Sequence, residues 1–228
     1  MLTMDDLNKA IAKSIRFFEK SREPHALLWL AVMHRRFAIA EFADALQCYD
    51  QRLIEQPATA ALLRVLRRFA DRETALQPDD WDAVTTPSDR ILVSALYCDR
   101  VGLPGSFPEV LQNAAKAGGY NLPHVLLTLV RIQENGCALP LPDGFIEAVY
   151  RANAALVDAD PTTVTDLRLE AAAFLHLAGR GALVQDGFVE SVVASQNADG
   201  GWGRPKESSG GSDWHSAVLG LLLLLQVR

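Results

Sequence analysis

The sequence lacks the features that mark nucleic-acid-binding, membrane-bound and disulfide-stabilised proteins. Its formal net charge is −6 and its basic residues form no long run, which disfavours nucleic acid and anionic membranes as partners. The first residues show no secretory leader. The cysteines are odd in number, widely spaced and without a CxxC pair: Cys48, Cys98 and Cys137. We therefore expect a reducing compartment without disulfides, by default the cytoplasm.

The sequence also lacks a membrane span and a low-complexity linker. Its most apolar run, from Ala217 to Leu225, has only about half of the ~20 residues that cross a bilayer, so we expect a buried helix there. Apolar residues make up 49% of the chain and charged residues 22%, which is enough apolar material for one core. Residues 1–228 are therefore expected to form a single domain. Phosphate-binding loops, nucleophile elbows and dinucleotide fingerprints are absent.

Hydrophobic periodicity is helical almost throughout, and alternating β-branched runs are missing, so we predict an all-α fold. Two kinds of segment alternate along the chain. Amphipathic segments, each with one polar face, are predicted at 7–19, 37–54, 145–156 and 184–194. Segments that are apolar on nearly all sides are predicted at 26–33, 91–96, 125–130, 171–175 and 217–225. A helix without a polar face must be surrounded by protein, so the alternation indicates an outer and an inner layer of helices.

The predicted starts of the inner helices indicate a repeat. Proline favours the first position of a helix, because its missing N–H would have no partner there. The sixth inner helix is predicted after Asp213, and the first five at prolines roughly 30 to 38 residues apart: Pro24, Pro57, Pro87, Pro123 and Pro161. Such a period indicates stacked helical hairpins. An open solenoid would need a polar end, whereas the last predicted helix is strongly apolar, so we favour a closed ring of six hairpins.

Two segments near the C-terminus resemble one protein superfamily. Residues 195–203, Ser-Gln-Asn-Ala-Asp-Gly-Gly-Trp-Gly, resemble the Gln/Trp repeat motif of terpenoid cyclases and the related protein prenyltransferases. Residues 213–221, Asp-Trp-His-Ser-Ala-Val-Leu-Gly-Leu, resemble the inner-helix start that supplies a zinc-binding histidine in prenyltransferase β subunits. The resemblance implies an (α/α)6 toroid. The cyclase motifs DxDD and DDxxD do not occur, so it implies the fold without that chemistry.

Three histidines occupy equivalent positions beside the predicted helix starts. The residues that follow these starts are His25, Ala58, Ser88, His124, Thr162 and His215. In a toroid the inner N-termini lie at one mouth, where three aspartates are also expected as catalytic groups: Asp89, Asp166 and Asp213. Three imidazoles with an open fourth position are a known catalytic zinc arrangement. We therefore predict a divalent metal, with zinc as the expected ion, on His25, His124 and His215, which the helix N-termini would keep neutral.

Three interpretations of this mouth stay open: a metal site, a metal-free polar pocket, and no site. As an enzyme, the chain would act on a small apolar or mixed molecule in the bore, with the histidines and aspartates as ligands or acid–base groups. As a binding or scaffold protein, it would hold a hydrophobic ligand or a partner without turnover. The aromatic candidates for lining the bore are Trp29, Tyr97, Phe174 and Trp214. The Gly- and Ser-rich residues 200–212 are a candidate lid over the mouth.

Overall fold

A computed structural model describes residues 2–56, 58–77, 79–203 and 211–228. In these residues the chain forms twelve α-helices and four short 3-10 turns, and the one β pairing is an isolated bridge between Trp202 and Asp213. The helices are α1 (Met4–Phe18), α2 (Pro24–Phe37), α3 (Ala45–Glu55), α4 (Ala60–Leu66), α5 (Pro87–Leu96), α6 (Cys98–Val101), α7 (Phe107–Ala117), α8 (Asn121–Glu134), α9 (Phe145–Asp158), α10 (Asp166–Leu177), α11 (Asp186–Ala194) and α12 (Trp214–Val227). The predicted all-α class is confirmed.

Side chains just before the helices fix where several of them begin. In five helices, α1, α2, α5, α10 and α12, the preceding residue accepts a hydrogen bond from a backbone N–H of the first turn. These N-cap residues are Thr3, Glu23, Thr86, Thr165 and Asp213. The N–H groups of a first turn have no acceptor within the helix, so each cap stabilises a helix start. Four of these five helices belong to the predicted inner layer.

Three of the six predicted inner-helix starts are confirmed. Helices α2 and α5 begin at Pro24 and Pro87, and α12 begins directly after Asp213. Pro57 lies outside the described residues, and the second inner helix, α4, begins at Ala60.

Two predicted starts are displaced. The fourth inner helix, α8, begins two residues before its predicted proline. The fifth, α10, begins five residues after Pro161, because the Asp160 carboxylate accepts the backbone N–H of Thr162 at 3.1 Å and holds that residue in a turn. Thr165 then caps α10. Asp166 is therefore the first residue of the helix, and not one turn inside it as expected.

The inner helices carry most of the core. Helix α12 is buried from Ser216 to Leu225, which confirms the buried helix predicted there. Inner-helix packing runs from α2 to α12, then to α10, α8 and α5, and α2 also contacts the 3-10 turn Arg67–Phe69. The hydroxyl of Tyr97, which follows α5, donates to the Val65 carbonyl of α4 at 3.1 Å. None of the helices within the described residues combines the length and apolar character needed to cross a membrane.

The outer layer is less regular than the inner one. Helices α1, α3, α7, α9 and α11 each precede an inner helix in the chain. The outer arm before α5 is only the 3-10 turn Trp81–Ala83 in the part of the chain that the structure describes. The amphipathic segment predicted at 37–54 is also divided, because Phe37 ends α2 and α3 starts at Ala45.

The two ends of the chain pack together. Helix α12 contacts α1 and α2, and α1 contacts α11. The Lys13 ammonium donates to the Asn197 carbonyl at 2.9 Å, and the Gln196 side-chain amide donates to the Ala10 carbonyl at 2.9 Å. These contacts cover the apolar last helix with the first hairpin, as a ring would require.

The Gln/Trp-like segment has a structural role. Trp202 is 1% exposed, and its indole N–H donates to the Val192 carbonyl at 2.7 Å. The Asp199 carboxylate accepts hydrogen bonds from the backbone N–H groups of Gly201 and Ser212. The segment thus fixes the turn that leads from α11 towards α12.

Cys98 and Cys137 form a disulfide, with their Cα atoms 6.1 Å apart. The expectation of a chain without disulfides is therefore wrong. The two cysteines are distant in sequence, but α5 and α8 pack side by side, and the Asn135 side-chain amide donates to the Leu96 carbonyl at 3.2 Å. The cysteine pattern consequently gives no support for a reducing compartment, and a cytoplasmic location stays a prediction.

We expect Gly220→Ala to destabilise the protein, although alanine favours a helix over glycine. An added Cβ would lie 2.6 to 2.9 Å from indole atoms of Trp202, which is buried and hydrogen-bonded. Overpacking of this kind costs about 1–3 kcal/mol. Gly187→Ala in α11 is the matched control, since nothing lies within 4 Å of its added Cβ, and it should gain about 0.4–1 kcal/mol. Urea unfolding measures both, and a stabilising Gly220→Ala would contradict this packing.

Candidate functional site

The N-terminal ends of three inner helices meet in one polar cluster. The Asp166 Oδ1 atom at the start of α10 lies 2.9 Å from His215 Nδ1 and accepts the Ser216 hydroxyl at 2.8 Å, both from the start of α12. His124 of α8 lies beside Glu170 of α10, with Nε2 and Oε1 3.5 Å apart. The structure therefore brings α8, α10 and α12 together at the end where the sequence places the site.

His215 and Asp166 form a hydrogen-bonded imidazole–carboxylate pair. Burial opposes the charge on His215, but the hydrogen bond to Asp166 and the nearby carboxylates outweigh it, so the pKa of His215 is raised. Burial likewise raises the pKa of Asp166, but hydrogen bonds from His215, Ser216 and Tyr120 outweigh it and lower the pKa. The pair favours imidazolium with carboxylate. The expectation that the helix N-terminus keeps His215 neutral is therefore wrong.

Glu170 is the residue that the sequence analysis missed. Its side chain is 2% exposed, one turn inside α10, and its Oε2 atom has no hydrogen-bond partner among the described residues. Burial raises the pKa of Glu170 to about 7, the Asp166 charge raises it further, and His215 lowers it. A carboxyl group with this pKa can both give and take a proton near neutral pH.

A signal for Glu170 was present in the sequence. It is the single charged residue in the run Leu169-Glu170-Ala171-Ala172-Ala173-Phe174-Leu175. A carboxylate within an apolar, buried helix is costly unless it is paired or protonated, so such a position points to a functional group.

His124 completes the polar cluster with a different charge preference. Burial lowers the pKa of His124, so the neutral imidazole is favoured, as predicted for this residue. His124 is the fourth residue of α8, one turn into the helix, and its Nε2 faces the buried Glu170 carboxyl. The cluster therefore places an imidazole whose pKa is lowered and a carboxyl whose pKa is raised beside an imidazole whose pKa is raised.

His25 lies at the edge of the cluster. Its Nδ1 atom is 3.0 Å from Glu23 Oε1, and its ring stacks against Trp214 with centroids 6.0 Å apart. Trp214 also contacts the His215 ring edge to face at 5.3 Å. The indole thus stands against both imidazole rings, and His25 joins the site through Trp214 and not as a neighbour of Glu170.

Asp89 and Asp213 both act at helix starts. The Asp213 carboxylate accepts the Ser216 N–H at 2.9 Å, and Asp89 accepts the Thr86 hydroxyl at 2.6 Å while its own N–H donates back to Thr86. These contacts stabilise the first turns of α12 and α5. Asp213 can also serve a second role, because one of its carboxylate oxygens lies within 4.8 Å of potential ligand atoms of Asp166 and His215.

One group of side chains could hold a metal ion. One potential ligand atom from each of Asp166, Asp213 and His215 lies within 4.8 Å of the other two. Outside residues 1, 57, 78 and 204–210, which the structure does not describe, no other group of three or more His, Cys, Asp or Glu side chains meets this spacing. The predicted trio of His25, His124 and His215 is not brought together, since only His215 belongs to the group.

Large aromatic side chains pack against one another between inner helices. The Trp29 ring of α2 contacts Phe69 at 4.5 Å and Phe174 of α10 at 5.7 Å between centroids. Phe174 is 2% exposed, and Tyr97 is fully buried. A ligand in the bore stays a prediction, and it would lie against these rings. Residues 204–210 of the predicted lid at 200–212 lie outside the described residues.

Comparison of the chain with protein families, curated proteins and solved structures finds no match in any of the three. The resemblance to terpenoid cyclases and prenyltransferases therefore stays a prediction that rests on residues 195–203 and 213–221.

We expect Glu170→Gln to remove a pH-dependent loss of stability. Because the pKa of Glu170 is about 7 in the folded protein and 4.5 ordinarily, the unfolded chain releases this proton first and wild-type stability falls as pH rises between these values. Above pH 7 the variant should be more stable by up to about 3 kcal/mol. Unfolding by urea from about pH 5 to 8 measures the difference.

The matched control is Glu147→Gln, which changes an exposed carboxylate of α9 paired with Arg151. It should leave the pH profile of wild type unchanged. A Glu170→Gln profile parallel to that of wild type would show that the Glu170 carboxyl has no raised pKa.

Proposed function

We propose that the chain is a small enzyme that uses general acid–base catalysis on a small molecule at the mouth formed by α8, α10 and α12. The observation that carries this proposal is the buried Glu170 carboxyl, whose Oε2 has no partner among the described residues and whose Oε1 lies 3.5 Å from His124. A buried carboxyl oxygen without a hydrogen-bond partner lowers the stability of the folded protein. Its cost is accounted for if a substrate supplies the missing partner.

Each ionisable residue of the cluster has its own role in the proposed proton transfer. Glu170, with a pKa of about 7, exchanges a proton with the substrate. His124, whose pKa burial lowers, is a neutral acceptor at neutral pH. His215, whose pKa the hydrogen bond to Asp166 raises, is the proton donor in this proposal. A site that contains both an acid and a base needs two groups with different pKa values.

The substrate is proposed to be a small apolar or mixed molecule with one polar group. The partly buried Trp214 ring, beside His25 and His215, supplies apolar surface. The N-terminal ends of α8, α10 and α12 favour an oxygen that carries negative charge in the transition state. A reaction that moves a proton between two atoms of one molecule fits this arrangement.

The site is proposed to lie at one mouth of a closed (α/α)6 toroid. The chain of contacts from α2 through α12, α10, α8 and α5, with α4 joined to α5 by Tyr97, supports this arrangement. The packing of α12 against α1 and α2 supports closure over an open solenoid.

Turnover of a metabolite mixture in D2O tests the proposal. Wild-type protein should change at least one compound, detected by mass spectrometry as a new product or as deuterium gained at carbon. Glu170→Gln should reduce this rate by about 100-fold or more, the usual contribution of a general acid–base group. The matched control is His176→Gln, a histidine at the opposite end of α10, which should keep the wild-type rate.

The outcomes separate an enzyme from a binding or scaffold protein. A compound that is retained by wild type but never changed would favour the binding protein. Equal turnover by wild type and Glu170→Gln would contradict the assigned role of Glu170.

A divalent metal is a second candidate, supported by the spacing of Asp166, Asp213 and His215. One imidazole and two carboxylates leave a fourth position for water or substrate, and both kinds of side chain can bind zinc. The ion would polarise a substrate oxygen or activate a water. Zinc is the ion that we expect, and because the raised pKa of His215 makes protons compete for its nitrogen, binding should weaken as pH falls.

Zinc titration of metal-free protein, followed by calorimetry and metal analysis, tests this candidate. Wild type should bind one zinc ion. Asp213→Asn should weaken binding by at least about tenfold, because loss of even a supporting group of a metal site costs this much, while asparagine keeps the helix cap. Asp89→Asn makes the same change in the first turn of α5, at a residue that pairs with the Thr86 cap, and should bind as wild type. Equal affinity in all three proteins would contradict the metal site.

A further inference from the structure

A polar cavity lies at the C-terminal ends of the inner helices, opposite the histidine cluster. Its volume is about 440 Å³, and it is lined by residues from the ends of α2, α5 and α8 and from the chain that follows α4. On α8, Arg131 lies seven residues after His124, a rise of about 10 Å along the helix axis. The cavity is therefore separate from the candidate acid–base site.

The cavity concentrates positive charge in a protein whose net charge is −6. Five arginines and two carboxylates line it: Arg35, Arg36, Arg68, Arg72, Arg131, Asp71 and Glu134. Arg72 is exposed and makes no hydrogen bond or ion pair with the rest of the described chain. An excess of guanidinium groups around a concave surface favours an anion.

Arg131 is the residue that makes this cavity more than a charged surface. It is 4% exposed, and its guanidinium lies over the Phe69 ring, 3.9 Å from the centroid. Only Nη1 has a partner, Glu134 Oε2 at 2.8 Å, while the buried Nε and Nη2 have none among the described residues. These two nitrogens form one edge of the guanidinium plane, the fork that binds two oxygens of a carboxylate or phosphate.

The preference of helix C-termini for cations explains only some of the arginines that line this cavity. Cations are favoured at helix C-termini, and Arg68 and Arg35 satisfy this preference by donating to the carbonyl oxygens of Leu96 and Ala70. The Arg131 fork donates to no carbonyl in the part of the chain that the structure describes. A buried guanidinium edge without hydrogen-bond acceptors lowers stability. Burial, together with the charges of Arg36 and Arg35, also lowers the pKa of Arg131 to about 10, although Glu134 raises it.

We propose that this cavity is a binding site for a small oxyanion, a phosphate or carboxylate group, held by the Nε and Nη2 edge of Arg131 with Arg72 at the rim. The anion supplies the acceptors that the Arg131 edge lacks. The site is independent of the acid–base cluster, and its ligand is either an effector or the anionic part of a larger molecule.

Calorimetric titration of the full chain with inorganic phosphate and with succinate, at constant ionic strength set by chloride, tests the site. Wild type should bind one equivalent of at least one of them, and the two titrations decide between a phosphate and a carboxylate. Arg131→Met should weaken binding about 10- to 100-fold, the effect of losing charge-assisted hydrogen bonds. Arg131→Met should also be as stable as wild type without anion, because it removes an under-partnered buried charge.

Two further variants keep the test decisive. Arg151→Gln changes an exposed arginine of α9 that pairs with Glu147, and it should bind as wild type. Arg72→Gln changes the exposed rim of the cavity and should fold even if Arg131→Met does not, with anion binding weakened several-fold. Absence of binding to wild type, or wild-type affinity in both Arg131→Met and Arg72→Gln, would overturn the proposal.

Discussion

The structure depends on covering helices that have no polar face. Helix α12 is buried over ten consecutive residues, from Ser216 to Leu225, and a helix of this kind is stable only when protein surrounds it. The helices that surround it are α1 and α2 from the first hairpin and α10 from the fifth. The packing of the last helix against the first hairpin follows from the same requirement.

This packing also places the polar groups. Helices α8, α10 and α12 lie side by side in the same direction, so their N-terminal turns share one end. His124, Asp166 and His215 lie in these turns and are therefore brought close together. The C-terminal turns share the other end, where Arg131 and Glu134 of α8 meet the arginines in the last turn of α2 and those that follow α4. Helix α8 thus connects a cluster of carboxylates and imidazoles with a cluster of guanidinium groups. Both clusters contain a buried ionisable side chain with at least one polar atom that has no partner among the described residues, Glu170 at one end and Arg131 at the other. Natural sequences retain such costly groups mainly where function uses them.

The sequence predicted the parts of this account that local chemistry determines. Periodicity identified the inner helices, Pro24 and Pro87 marked two starts, and Asp213 marked a third. It also placed Asp166, Asp213 and His215 at one mouth.

Prediction from the sequence failed where a neighbour in space decides the outcome. The start of α10 depends on the Asp160 turn, and the pairing of Cys98 with Cys137 depends on how α5 lies against α8. Glu170 is marked in the sequence as the one charged residue of an apolar run, but its contact with His124 was visible only in the structure. The charge of His215 was misjudged for the same reason, since the Asp166 carboxylate outweighs the helix end.

The central claim is that Glu170 is a buried, proton-exchanging carboxyl at the mouth of the inner helices. The most direct measurement is a ¹³C NMR titration of protein labelled at glutamate side-chain carboxyls, with Glu170→Gln used to assign the signal. The account predicts a midpoint for Glu170 near pH 7, well above the ordinary value of 4.5. A midpoint at the ordinary value would show that the carboxyl is solvated, and it would contradict both the burial of Glu170 and the acid–base role built on it.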